Sequence, residues 1–144
     1  MAETKKKGEL RSKFGADGNL RVSSGSNFEE MCSYSRAVVV GDVVHVSGTT
    51  GYDYAKGTIK TEAKDQAEQT FRNIANALKT AGSSIDRVFR IRVIISDRKY
   101  FAEIVPVVQK WMKIALPANT TIVSQLVTEE MKVEIEVTAT TTRR

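Results

Sequence analysis

The sequence predicts an α+β fold, a β-sheet carrying two helices on one face. Three observations predict it: two long apolar stripes at helical spacing, an alternating Val/Ile-rich run between them, and strand pairs at either end. Residues 1 to about 20 are polar and contain Gly8, Gly15 and Gly18, so a flexible basic N-terminal arm is expected over 1–20 and a single domain over 21–144. Residues 21–26 read as a short edge strand or loop. Residues 36–40 and 43–47 are β-branched runs split by Gly41-Asp42, a two-residue hairpin signal. Ser47-Gly48-Thr49-Thr50-Gly51 then bends the chain, and Tyr52-Asp53-Tyr54 opens a surface loop.

Ala67, Phe71, Ile74, Leu78 and Ala81 recur at steps of three and four, which predicts a helix over about 63–81 with Gly82 as its left-handed stop. Residues 88–95 alternate and read as a central strand. Asp97 caps a second helix that carries Phe101, Ile104, Val105, Val108, Trp111, Met112 and Ala115 on one side, and Pro106 is expected to kink it or mark a second start. Residues 120–127 and 131–140 are the last strands. The order is ββ-α-β-α-ββ, with room for one more strand at the N-terminus.

At 144 residues the chain is long enough to bury a core, and a hydrophobic fraction of 41% with 27% charged residues suits a globular protein. No apolar run of about 18 residues exists, which excludes a helical membrane span, and the lysine-rich start has no apolar core of a secretory signal. A cytoplasmic protein is the default expectation. Cys32 and His45 are the only cysteine and histidine, so neither a cysteine cluster nor a multi-histidine metal site is available, and no metal or cofactor is expected. The net charge of +5 invites a nucleic-acid reading, but much of the excess sits in Lys5-Lys6-Lys7, Arg11, Lys13 and Arg143-Arg144. Such ends read as solvated tails, so nucleic acid is not the expected partner.

Side chains alternate along a strand. Phe89, Ile91, Val93 and Ile95 should therefore face one way, and Val88, Arg90, Arg92 and Ile94 the other. In the last strand Val133, Ile135, Val137 and Ala139 share a face opposite Lys132, Glu134, Glu136 and Thr138. The apolar sets fit under the helices. The other face mixes opposed charges with Val40, Ile94 and Ile122 or Val123, which suits self-association better than open solvent.

Particular motifs sharpen this outline: Tyr34-Ser35-Arg36-Ala37-Val38, Gly41-Asp42, Val46-Ser47-Gly48, and the helix from Gln66-Ala67-Glu68-Gln69 to Asn73-Ile74. Further along stand Ala81-Gly82-Ser83-Ser84-Ile85-Asp86-Arg87-Val88, Pro117-Ala118 and Val133-Glu134-Ile135-Glu136. Each is weak alone; in this order and spacing, over about residues 21–139, the chain resembles the RidA/YjgF family, formerly called endoribonuclease L-PSP. The resemblance implies a chorismate-mutase-like homotrimer with small-molecule clefts between subunits. It also implies hydrolysis of an enamine or imine to a keto acid and ammonia.

Carried over by position, the resemblance makes Glu134 the catalytic, water-positioning residue and Tyr34, Ser47 and Asn119 the substrate-binding residues. The family's arginine, a bidentate grip on the substrate carboxylate, falls at Asn119, and an amide cannot reproduce that charged fork. The usual 2-aminoacrylate deaminase activity is therefore expected to be weakened or lost, at about 2–5 kcal/mol of anion binding. Structural readings stand beside each role. Glu134 also fits a pair with Arg90 or Arg92, Tyr34 an interface aromatic, Ser47 a bend residue, and Asn119 a turn amide. Two functions from different classes follow: a hydrolase of reactive nitrogen metabolites, and a trimer that holds a metabolite without turnover. Endoribonuclease or translation-inhibitor activity, suggested by the old name, lacks an aromatic-rich basic surface to support it.

Overall fold

The structure, a computed structural model, describes residues 6–142; Lys5 and Arg143-Arg144 of the basic ends lie outside the described residues. Nine strands and three helices follow one another: β1 (Arg11–Phe14), β2 (Leu20–Ser23), α1 (Asn27–Cys32), β3 (Ala37–Val40), β4 (Val43–Thr50), β5 (Tyr52–Asp53), β6 (Thr58–Ile59), α2 (Ala63–Thr80), β7 (Val88–Ile95), α3 (Phe101–Met112), β8 (Ala118–Val123) and β9 (Val133–Thr140). Seven strands make one sheet in the order β1-β2-β3-β4-β9-β7-β8, while β5 and β6 form a small separate hairpin. All neighbours in the large sheet are antiparallel except β7 and β8, which run parallel because α3 carries the chain back between them. The expected α+β architecture is present, as a mixed sheet with two principal helices.

Helix α2 forms where the apolar stripe predicted it. Ala67, Phe71, Ile74, Ala77 and Leu78 are fully buried in one core with Val44, Val46, Ile91, Val93, Ile135 and Val137 of the sheet. Burying a side chain such as Phe71 or Ile74 contributes about 1.5–3 kcal/mol. Gly82 at φ +81° ends the helix, and the Ser83 amide donates to the Leu78 carbonyl at 2.8 Å. Helix α3 packs on α2 through Trp111, whose ring stacks on Phe71 with centroids 5.7 Å apart. Asp97 caps the single 3₁₀ turn before α3, accepting from the Lys99 amide at 2.9 Å. Pro106 sits inside α3 without ending it; the N–H that proline lacks would have met the carbonyl of Ala102, an exposed residue where water can take its place.

Several features depart from or refine the sequence expectation. Arg11–Phe14, within the expected arm, pairs with β2 as an edge strand. Asn27–Cys32 is a short helix, with Ser26 accepting from the Phe28 amide at 3.2 Å as its N-cap. Phe89, expected under the helices, is 46% exposed, and Val88, expected on the other face, is 2% exposed. The cause is a register shift between Val88 and Arg90 against β9, a bulge that exchanges the two side chains between faces.

The sheet face away from the helices carries His45, Arg90, Arg92, Glu136 and Thr138, with Arg92 Nε 3.4 Å from Glu136 Oε1. Strand β8 is exposed along all its residues, including Ile122 and Val123. No helix among the described residues is long and apolar enough to cross a membrane.

Candidate functional site

The site grows from one buried ion pair. Glu29 lies in the first turn of α1 and Arg36 immediately precedes β3; the two are 6% and 2% exposed. Arg36 Nη2 donates to Glu29 Oε2 at 3.3 Å and to the Tyr34 hydroxyl at 3.4 Å. Its Nη1 donates to the Gly48 carbonyl at 2.8 Å and to Thr49 Oγ1 at 3.1 Å. Glu29 in turn accepts from the Ser24 amide at 3.1 Å and from the Ser24 hydroxyl. The guanidinium carbon stands 5.5 Å from the Tyr34 ring centroid and 5.3 Å from that of Tyr54, so two aromatic faces flank the charge. A buried charge requires this degree of satisfaction.

Above that pair opens a cleft of about 70 Å³ lined by Phe28, Tyr34, Arg36, Gly48, Thr50, Tyr54, Val127, Met131 and Glu134. Glu134 comes from β9, opposite Thr50 of β4 on one side and Ile94 of β7 on the other. Its side chain lies directly over Gly48: a Cβ there would sit 3.1 Å from the Glu134 carboxyl carbon and closer still to Oε1. Only glycine lets the carboxylate occupy this place. Burial, then the neighbouring Glu136 carboxylate, raises the Glu134 pKa above the ordinary carboxylate value, while Arg36 pulls the other way. Burial likewise pushes the Tyr54 hydroxyl up to about 12. Glu134 has no hydrogen bond or salt bridge among the described residues, because Glu136 takes Arg92 instead. The pairing of Glu134 with Arg90 or Arg92 is therefore not formed.

Of the four residues singled out in the sequence, the cleft brings together Tyr34 and Glu134. Ser47 does not line it; its hydroxyl donates to the Ser35 carbonyl at 2.6 Å and ties β4 to the segment before β3. Asn119 lies apart within one chain. It pairs with Ile91 of β7, whereas Glu134 pairs with Ile94, so the two sit three register positions and two strands apart. Asn119 Oδ1 accepts from the Thr121 hydroxyl at 2.8 Å. Tyr54 and Phe28 line the cleft although the sequence reading gave them no place there, and Arg36 lines it with its guanidinium already engaged by the protein. The signal for α1 was there, a Ser26-to-Glu29 spacing of the capping-box kind before an acidic turn. That turn brings Glu29 to Arg36.

Comparisons with known proteins agree with this architecture. The family model for Endoribonuclease L-PSP matches residues 25–141. The crystal structure of Rv2704 from Mycobacterium tuberculosis, a member of the YjgF/YER057c/UK114 family, superposes with a TM-score of 0.76 at 32% identity, covering 85% of this chain and 98% of that one. Protein MMF1, mitochondrial, of Saccharomyces cerevisiae is 31% identical over 107 residues, 74% of each chain. The 2-iminobutanoate/2-iminopropanoate deaminase of Bos taurus is 29% identical over 107 residues, 74% of this chain and 78% of its own. With the family model spanning most of the sequence and the fold following that of a solved member, the chain belongs to the Endoribonuclease L-PSP family, the YjgF/RidA group.

Proposed function

We propose that this chain binds a small metabolite in clefts completed by neighbouring copies of a homotrimer, and that Glu134 directs a water molecule onto a C=N bond there. The observation that carries the reading is the position of Glu134: partly desolvated, without a salt-bridge partner, and packed over Gly48 at the mouth of a cleft walled by Tyr34, Arg36 and Tyr54. A carboxylate whose pKa is raised is a stronger base at neutral pH than an ordinary one. In its ionised form it takes a proton from water as the oxygen bonds to the imine carbon. Glu134 returns that proton to the nitrogen of the resulting hemiaminal, and as the C–N bond breaks the hydroxyl proton passes to the nitrogen too, leaving a carbonyl and ammonia. Atoms balance as imine plus water giving carbonyl plus ammonia.

The apolar rim supports assembly. Val127 at the cleft edge is 83% exposed, and β8 presents its whole length uncovered. A neighbouring copy laid on this side would cover both and bring its own residues to the cleft. Turnover of 2-aminoacrylate should be reduced, since the position of the family's arginine is the neutral Asn119. A binding module without turnover is the second reading, favoured by the hydrogen bond that keeps Asn119 on Thr121.

The test combines sedimentation equilibrium with ammonia release. Imines would be generated in situ by an amino-acid oxidase, which gives carboxylate imines, and by an amine oxidase, which gives neutral ones. Trimeric mass and acceleration of either hydrolysis, lost in Glu134→Gln, are the expected results. No acceleration of either imine removes the hydrolase reading, and a monodisperse monomer removes the shared clefts.

A further inference from the structure

The charges and donors inside the cleft speak to the class of ligand it accepts. A carboxylate is held best by a free guanidinium fork, two parallel N–H groups on one face. Arg36 is the one guanidinium among the lining residues, and its fork is already spent on the protein. Both terminal nitrogens are engaged, Nη1 by Gly48 and Thr49 and Nη2 by Glu29 and Tyr34, so four of its five N–H donors have acceptors. Its charge is answered by Glu29 at 3.3 Å. What remains unbalanced at the mouth is the carboxylate of Glu134, with Glu136 on the same strand face behind it. An anion entering this cleft approaches net negative charge.

Two donors remain. Among the described residues, Arg36 Nε and the Tyr54 hydroxyl are buried without a hydrogen-bond partner. Buried donors of this kind are rare and call for an acceptor. Around them stand the apolar surfaces of Phe28, Val127 and Met131. The combination is a small, partly apolar site with two orphaned donors, no available charged fork and a carboxylate at its entrance.

We infer that the cleft is built for an uncharged carbonyl or imine compound, such as a carboxamide, and that it discriminates against carboxylates. This names the substrate class of the site proposed above and rests on that reading. It makes an asparagine at position 119 part of a coherent arrangement, since the lining from one chain gives a carboxylate no other free guanidinium. Glu134 keeps its role toward water in either case.

The experiment is a titration of the full chain with pyruvate and with pyruvamide, its neutral isostere, followed by calorimetry or protein NMR. Pyruvamide should bind at least about three-fold more tightly, and a preference near ten-fold is expected from one unscreened like charge near the cleft mouth. In Glu134→Gln the preference should shrink toward one because the repelling charge is gone; a merely structural role for Glu134 would weaken both ligands alike. A preference below about three-fold, tighter binding of pyruvate, no binding of either, or an unchanged ratio in Glu134→Gln overturns the inference. Ammonia release from the two imines is scored separately. If carboxylate imines are hydrolysed and pyruvate binds the better, the ligand class falls while the hydrolytic reading stands.

Discussion

Replacing Glu29 with alanine should strand the Arg36 guanidinium in the protein interior. The pair is 3.3 Å apart, where attraction is about 5 kcal/mol at an effective dielectric of about 20. Glu29 also accepts from the Ser24 amide and hydroxyl, which lose their partner together with it. Arg36 keeps the Gly48 carbonyl, Thr49 and the flanking tyrosine rings, so part of its satisfaction survives. The expected cost is therefore about 3 kcal/mol, the lower end for breaking one partner of a buried pair. In urea, with a slope of about 1–3 kcal/mol per molar, the unfolding midpoint should fall by about 1–3 M. Protomer concentration must be fixed, because association adds to apparent stability. The decisive measurement is the cycle of Glu29→Ala, Arg36→Met and the double variant. A coupling of about 2 kcal/mol is expected, and a value under about 0.5 kcal/mol would refute the claim that the two charges depend on one another.

Two glycines should answer substitution in opposite ways. Gly48→Ala places a methyl against the far end of the flexible Glu134 side chain, so stability should change by less than about 1 kcal/mol while imine hydrolysis falls at least about ten-fold. Gly51→Ala drives its methyl to 2.6 Å from the Gln66 carbonyl oxygen, which is α2 backbone, and should cost about 2–4 kcal/mol in a urea titration. Glu134 has a raised folded pKa, so the native state holds its proton more tightly than the unfolded chain. Its contribution to stability therefore falls as pH rises from 4.5 through the raised value. Urea midpoints of wild type should decline over that window more than those of Glu134→Gln, and identical profiles would deny the shift. Asn119→Arg should raise pyruvate affinity about ten-fold or more if β8 of a neighbouring copy borders the cleft. Calorimetry showing no gain would mean that Asn119 borders no cleft.

Much of the fold was legible because local pattern and final packing agree. The stripe from Ala67 to Leu78 is the buried face of α2, Gly82 is its stop, and the alternation of β9 separates Val133, Ile135 and Val137 from Glu134 and Glu136. Phe89 was misassigned because a bulge belongs to a pair of strands and leaves no mark in one of them. Tyr34 and Glu134 were legible through motif position, and the cleft does contain both. Arg36 stood in view as a charged residue ahead of valines. Its burial, however, depends on Glu29 from a helix whose spacing signal was overlooked and on Tyr54 from a loop beyond β4. No periodicity reports such a meeting. Asn119 is a different case: within one chain it bonds Thr121 rather than lining the cleft, so any part in a cleft would require a second copy.

The strand order has a consequence for synthesis. β9, which follows the other eight strands among the described residues, lies between β4 and β7 and joins two halves that share no direct hydrogen-bonded edge. Until Val133–Thr140 leaves the ribosome, β1–β4 and β7–β8 are separate ribbons with open inner margins and no common ladder. Cooperative closure must therefore wait until β9 has emerged, and forms that lack it are natural clients for chaperones that shield unpaired strand margins.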